Sequence, residues 1–305
     1  MNSLNKYLVV IAGPTAVGKT ALAIELAKHY QSVILSADSR QFYKELTIGT
    51  AKPTAEQLSE VPHFFINTKN IGELYGAGHF EKDVLRLLNE QFKEHSVVFI
   101  VGGSGLYIDA VLNGVDDFAE VPPEIRSALN KKFEENGLNW LQQELEKKDP
   151  DYFQSVDINN PQRLIRALEV IEHTGLPYSG FLNKKENDRP FTAIKILVNL
   201  DRTELYQRIN ERVDQMMKEG LLEEAKQFSE KKHLNALKTV GYKELYDYLD
   251  GTLSLESAID KIKQHTRNYA KRQITWFKNK DDFDEFNPKD VAKISAYIDI
   301  IMSHG

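Results

Sequence analysis

The run Gly13-Pro14-Thr15-Ala16-Val17-Gly18-Lys19-Thr20 follows the apolar stretch Tyr7-Leu8-Val9-Val10-Ile11-Ala12 and precedes the helical pattern Ala21-Leu22-Ala23-Ile24-Glu25-Leu26-Ala27. A strand, a loop of this spacing and a helix in that order form a phosphate-binding loop. Its bare backbone N–H groups close around a di- or triphosphate, and the positive end of the following helix points at the anion. In this reading Lys19 reaches the outer phosphate and the Thr20 hydroxyl ligates Mg²⁺. The alternative, a chance glycine-rich turn, leaves the Lys-Thr pair and both flanking elements without a reason.

Ser32-Val33-Ile34-Leu35-Ser36-Ala37-Asp38 reads as a second parallel strand ending in a carboxylate. Ligands of open parallel sheets sit beyond the carboxyl ends of the strands, so Asp38 is expected near the phosphate mouth, with a helix cap or turn aspartate as the other reading. Ser39-Arg40-Gln41-Phe42-Tyr43 and Ile48-Gly49-Thr50-Ala51-Lys52-Pro53 are polar and turn-rich, which suits a substrate-facing loop more than a core element. A helix over 78–92 leads into Val97-Val98-Phe99-Ile100-Val101 and then Gly102-Gly103-Ser104-Gly105. Many ATPases end this strand in an aspartate, and this chain does not. The glycines admit a close ligand or simply make a tight turn, and Ser104 offers a hydroxyl.

Between 113 and 188 the chain turns helical and charged, broken by Pro122-Pro123, Asn136-Gly137, Asp149-Pro150, Asn160-Pro161 and Gly175-Leu176-Pro177; a strand pattern returns at Thr192-Ala193-Ile194-Lys195-Ile196-Leu197-Val198-Asn199-Leu200. The expected fold is α/β: a P-loop NTPase-like parallel sheet flanked by helices, with an inserted helical domain. The core is assigned to 1–112 and 191–305 with basic C-terminal helices, and the insertion to 113–190.

A net charge of −6 argues against a nucleic-acid partner, but the charge is uneven. The stretch 261–280 carries Lys261, Lys263, Arg267, Lys271, Arg272, Lys278 and Lys280 with no acid, interleaved with Tyr269, Trp276 and Phe277. Positive charge tracks a backbone and flat rings stack on unpaired bases, so an anionic polymer is the expected partner, against the usual reading of a charge run as a solvated face. Arg163 and Arg166 on a helix, and Arg208 and Arg212 on another, suit phosphate oxygens or plain solvent; Arg212 is placed to reach the bound phosphates. Asp281-Asp282-Phe283-Asp284-Glu285 imitates a metal-chelating acidic box but reads as a solvated run without a helical face. There are no cysteines, the histidines lack metal-ligand spacing, and no apolar run approaches a membrane span. With no signal-peptide layout either, a cytoplasmic monomer without membrane contact is expected.

Three readings fit these residues: a small-molecule kinase, a transferase acting on RNA, and a non-catalytic nucleotide switch that binds RNA. The ordered blocks Gly13–Thr20, Asp38-Ser39-Arg40-Gln41-Phe42-Tyr43, Gly49-Thr50-Ala51-Lys52-Pro53, Gly102-Gly103-Ser104-Gly105-Leu106-Tyr107, Asn160-Pro161-Gln162-Arg163-Leu164-Ile165-Arg166 and Tyr269-Ala270-Lys271-Arg272-Gln273-Ile274-Thr275-Trp276-Phe277 closely resemble the tRNA dimethylallyltransferase (tRNA isopentenyltransferase) family over nearly the whole chain. The resemblance implies transfer of a dimethylallyl group from dimethylallyl diphosphate to the exocyclic N6 amine of the adenosine 3′-adjacent to the anticodon, in tRNAs reading codons that begin with U, with release of diphosphate and with Mg²⁺ as cofactor. Adenylate isopentenyl transfer and a P-loop metabolite kinase are the alternatives.

The residues from Gly13 to Thr20 and Arg212 would bind diphosphate, Asp38 would act as base with Lys19 and Thr20 assisting, and the anticodon stem-loop would be met by several further groups. By similarity these are Asp38, Ser39, Arg40, Gln41, Ser104, Arg126, Gln162, Arg163, Leu164, Ile165, Arg166, Thr239, Val240, Gly241, Tyr242, Lys243, Glu244, Arg267, Asn268, Tyr269, Ala270, Lys271, Arg272, Gln273 and Ile274. Two departures stand out: the family has a threonine where Ser104 stands and a second histidine after the one matching His63, where this chain has Phe64-Phe65.

Overall fold

The computed structural model describes residues 5–115, 121–182, 188–280 and 282–304. They divide into two compact units, Met1–Asn113 with Arg189–Gly305, and Gly114–Asp188.

The larger unit is built on six parallel strands in the order β3-β2-β4-β1-β5-β6. These are β1 (Tyr7–Ala12), β2 (Ile34–Ser36), β3 (His63–Phe64), β4 (Val97–Gly102), β5 (Thr192–Val198) and β6 (Asp284–Phe286). β1 and β4 are buried on both faces, which is why they read as unbroken apolar runs rather than alternating ones. Along β1, Tyr7, Val9 and Ile11 point into one core with α1 (Lys19–His29), and Leu8, Val10 and Ala12 into another with α3 (Ala77–Gln91) and α4 (Gly105–Asn113). Between β2 and α3 lies the short α2 (Ala55–Glu60).

In the smaller unit, α5 (Pro123–Lys148), α6 (Pro150–Ser155) and α7 (Pro161–Thr174) pack on a core of Leu129, Leu141, Leu145, Leu164, Ile165 and Leu168. Each of the three begins at a proline, whose missing N–H is harmless in the first turn. Gly137 interrupts α5 with φ 73°.

The chain then returns through β5 to α8 (Arg202–Lys218), α9 (Leu221–Gln227), α10 (Tyr242–Leu249), α11 (Leu255–Lys278) and α12 (Val291–His304). A third core around Leu46, Val213, Leu221, Tyr242, Leu245 and Ile262 ties α8 to α11 together. α12 lies on α1: Tyr30 donates to Asp299 Oδ1 at 2.8 Å and Tyr7 to the Met302 carbonyl at 3.2 Å.

Three expectations need correction. The aromatic pair Phe42-Tyr43 is not substrate-facing; both rings are buried, in different cores. The acidic run is more than a solvated segment: Asp284–Phe286 is the edge strand β6, Asp282 pairs with Lys195, and Glu285 pairs with Lys278 at 2.7 Å. Asp281 lies outside the described residues. The second strand is also shorter than read, ending at Ser36 two residues before Asp38.

Candidate active site

The phosphate loop closes through three positive φ angles, Gly13 at 155°, Ala16 at 64° and Gly18 at 109°. A Cβ on Gly13 would collide with the Val198 carbonyl oxygen, so close packing of β1 against the end of β5 admits glycine alone there. Ala16 holds its left-handed conformation without that freedom, at a cost of about 1 kcal/mol.

Lys19 lines the cavity, and its ammonium donates to the Gly13 and Pro14 carbonyls at 2.9 and 2.7 Å. Burial of that ammonium, then the charge of Arg212, push its pKa down to about 7, with Asp38 opposing. Burial likewise lowers the pKa of Arg212, against Asp38 and Glu219. The Arg212 guanidinium reaches Thr15 Oγ1 at 3.4 Å, and Arg208 donates to the Val17 carbonyl at 3.4 Å. Desolvated cations crowded on this loop lower their energy by receiving an anion.

Asp38 satisfies both readings made of it. Its Oδ1 accepts the Arg40 N–H at 2.9 Å and the Gln41 N–H at 3.4 Å, as a turn aspartate does, while the residue lines the cavities beside the loop. Gln41 is fixed in turn, accepting from Ser36 Oγ at 3.0 Å and donating to the Thr50 and Ala51 carbonyls. Ser104 Oγ accepts the Ser39 N–H at 3.0 Å.

Two buried residues hold this arrangement in place. The Gln273 carboxamide spans from the Thr15 N–H to the Gly103 carbonyl, at 2.9 Å each. The Glu224 carboxylate accepts the N–H groups of Thr47, Ile48 and Gly49, all at 2.9 Å, and the Tyr242 hydroxyl at 2.5 Å. Sequence reasoning placed Gln273 among polymer contacts and missed Glu224, one acid in the ordinary run Leu221-Leu222-Glu223-Glu224; no local pattern marks a carboxylate that binds three amides some 175 residues away.

Two cavities open at the site. The larger, about 710 Å³, runs from the phosphate loop past Thr20 and Ser36 to His63 and Ile66. The smaller, about 220 Å³, lies among Ser39, Arg40, Gly49, Thr239, Val240, Gly241 and Thr266. Thr15, Asp38, Arg212 and Tyr269 line both, so the two meet at the carboxylate. Burial, then Asp38, push the Tyr269 hydroxyl up to about 12, which keeps it protonated at neutral pH. Among the described residues no group of three or more His, Cys, Asp or Glu is gathered for a metal ion. Thr20 lines the larger cavity next to Lys19, and its hydroxyl is a hard oxygen of the kind that Mg²⁺ takes alongside substrate oxygens and water.

The remaining expected polymer contacts fall into two kinds. Tyr242, Glu244, Ala270, Leu164 and Ile165 are buried and offer a polymer no side-chain surface. Glu244 instead accepts the Gly241 N–H at 2.8 Å and faces His265 Nδ1 at 2.6 Å, shaping the smaller cavity's wall. Lys243, Asn268, Lys271 and Arg272 are exposed, Ile274 packs partly into the core, and Arg267 donates to Asn210 at 2.6 Å. The basic run is less free than its sequence suggested, because Lys263 pairs with Asp214, Lys278 with Glu285 and Lys280 with Asp109. In the smaller unit, buried Glu169 draws Arg126 (3.3 Å) and Arg166 (3.6 Å) together, and Arg126 also meets Gln162 at 3.0 Å; Arg163 is exposed beside them.

Fold and site together define a P-loop-type α/β protein whose loop-lined cavity shares a carboxylate with a second cavity. Residues 41–280 match the family model described as IPP transferase. The chain is 50% identical over 297 residues to a tRNA dimethylallyltransferase of Christiangramia forsetii, covering 97% of this chain and 98% of that one. It is 47% identical over 291 residues to tRNA dimethylallyltransferase 1 of Bacteroides thetaiotaomicron, covering 95% and 94%. The crystal structure of the tRNA isopentenylpyrophosphate transferase of Bacillus halodurans superimposes with a TM-score of 0.73 at 37% identity, covering 98% of both chains. A eukaryotic dimethylallyltransferase acting on tRNA gives 0.78 at 27% identity over 94% of this chain and 75% of its own. The chain belongs to the IPP transferase family.

Proposed function

We propose that the protein transfers a dimethylallyl group from dimethylallyl diphosphate to the exocyclic N6 amine of an adenosine in tRNA, the one 3′-adjacent to the anticodon in tRNAs reading codons that begin with U. The observation that carries this reading is the meeting of the two cavities at Asp38, one holding the phosphate cradle and the other leading to the surface of α11. The names of the relatives support the donor and the acceptor.

In the transfer the allylic C–O bond to diphosphate breaks and a C–N bond to the amine forms. The loop N–H groups, Lys19 and Arg212 take up charge developing on the leaving diphosphate. The Thr20 hydroxyl would hold Mg²⁺, which when bound would neutralise further charge on the same oxygens. Asp38 accepts the proton that the amine loses, its second carboxylate oxygen carrying no hydrogen bond within the described residues. Tyr269 lines both cavities where they meet. The base must leave the anticodon stack to enter the smaller cavity. Arg126, Gln162, Arg163 and Arg166 of the smaller unit and the exposed cations of α11 are assigned to the tRNA backbone. The protein works as a monomer in the cytoplasm on this reading.

Labelled dimethylallyl diphosphate or ATP, each incubated with bulk tRNA or adenosine monophosphate, tests the proposal. Label entering tRNA from the prenyl donor alone is the expected result. Label entering the mononucleotide, or arriving only from ATP, would overturn it in favour of adenylate prenylation or a kinase.

A further inference from the structure

The exposed side chains of α11 form an ordered stripe. Tyr269, Arg272 and Trp276 are three and then four residues apart, which sets them on one helix face, and Lys280 follows just past the helix end. Tyr269 and Trp276 are each 36% exposed. A cation accompanies each ring: the Arg272 guanidinium lies 5.8 Å from the Tyr269 centroid and the Lys280 ammonium 5.9 Å from that of Trp276. The other side of this helix is committed inward, with Ala270, Gln273 and Phe277 buried.

The position of Trp276 is fixed by its surroundings. Its indole rests on Gly105, where a Cβ would collide with Nε1 and Cδ1, and Lys280 is anchored by an ion pair with Asp109 at 2.9 Å. Leu106, next to that glycine, is 56% exposed. At the other end of the stripe Tyr269 stands at the junction of the two cavities. The stripe therefore begins where the reacting base would lie and runs outward for about 10 Å to Trp276, the length of roughly two to three nucleotides at a 3.4 Å rise.

We propose that Tyr269, Arg272 and Trp276 form a track on which unpaired nucleotides flanking the reacting base stack as they leave the cavity, extending the RNA contact beyond Ile274 to Trp276 and Lys280. The inference rests on the reading of the acceptor as RNA. A nucleotide presents a π-face and a phosphate within a few ångströms, which matches rings and cations in alternation; an apolar protein surface would match the rings and leave Arg272 unpaired.

The test uses a labelled tRNA anticodon stem-loop and the full-length protein. Replacing Trp276 by Leu should weaken stem-loop binding about tenfold, Trp276→Phe should keep affinity within about threefold of wild type, and neither should change the KM for dimethylallyl diphosphate. Arg272→Ala, at an exposed position, should make the salt dependence of binding shallower by about one unit of slope. A measurement that leaves Trp276 intact guards against misfolding of the leucine variant. The chain has two tryptophans, Trp140 and Trp276, so Trp140→Phe leaves the stripe indole as reporter, and its emission should be quenched as the stem-loop saturates the protein. If wild type binds the stem-loop, yet Trp276→Leu binds as tightly and the reporter emission does not change, the track is wrong while the acceptor reading stands. If wild type binds no stem-loop and prenylates adenosine monophosphate instead, both fall.

Discussion

Thr15 in the phosphate loop gives its backbone N–H to the Gln273 carboxamide oxygen at 2.9 Å, across 258 residues of chain. The other end of the same carboxamide holds the Gly103 carbonyl, and a Cβ on Gly103 would collide with it. The loop's shape is thus set from α11 as well as from its own glycines. Gln273→Leu leaves two buried polar groups unsatisfied, at about 1–3 kcal/mol each before relaxation. The expected outcome is a lower melting temperature and a KM for the prenyl donor raised at least severalfold, measured by thermal denaturation and steady-state kinetics. Unchanged values for both would show that the bridge has no hold on the loop.

Asp38→Asn keeps the oxygen that accepts the Arg40 and Gln41 N–H groups and removes the ability to take a proton. It should lower kcat by about 10²–10⁴ while donor binding stays within a few-fold of wild type. Asp38→Ala is the less informative change, since it also breaks the turn. A kcat near wild type for the asparagine variant would remove the residue from proton transfer.

Lys19 titrates at about 7 in the ligand-free protein, well below its ordinary 10.5. Between those values the unfolded chain holds a proton that the folded chain lacks, so folding releases it and stability rises with pH. The Lys19→Met variant has no such dependence. The stability of wild type relative to Lys19→Met should therefore increase from pH 7 to pH 9, by at most about 1.4 kcal/mol per pH unit. Denaturant titrations of both proteins at several pH values measure it. A difference that stays flat, or shrinks as pH rises, would contradict the buried-ammonium account. Saturating diphosphate should abolish the slope, because a bound anion restores the charge.

The parts of the fold that were legible in the sequence share a cause: each is carried by neighbours along the chain. The phosphate loop, β1, β4 and β5 have local spacing or unbroken apolarity, and the switch to helical texture after 113 is a change of period. Asp38 was legible because a carboxylate at a strand end is a local statement, although the turn it also supports was offered as an alternative rather than a companion. What escaped is long-range. Glu224 and Gln273 look like surface residues until the fold brings distant amides to them. Phe42 and Tyr43 sit in a polar stretch, yet cores assembled from α3, α4 and α9 to α11 bury them. β6 was hidden because an acidic edge strand pairs through its backbone while its side chains find Lys195 and Lys278.

The contact of α12 with α1 bears on how the molecule is made. Tyr7 and Tyr30, made long before α12, find their hydroxyl partners at Met302, Ser295 and Asp299. Contacts of such sequence separation form late, so the helix behind the phosphate cradle is covered only once α12 has been made. Until then its apolar flank is open to solvent, and a nascent chain halted after the smaller unit would carry a recognisable loop on an unfinished scaffold.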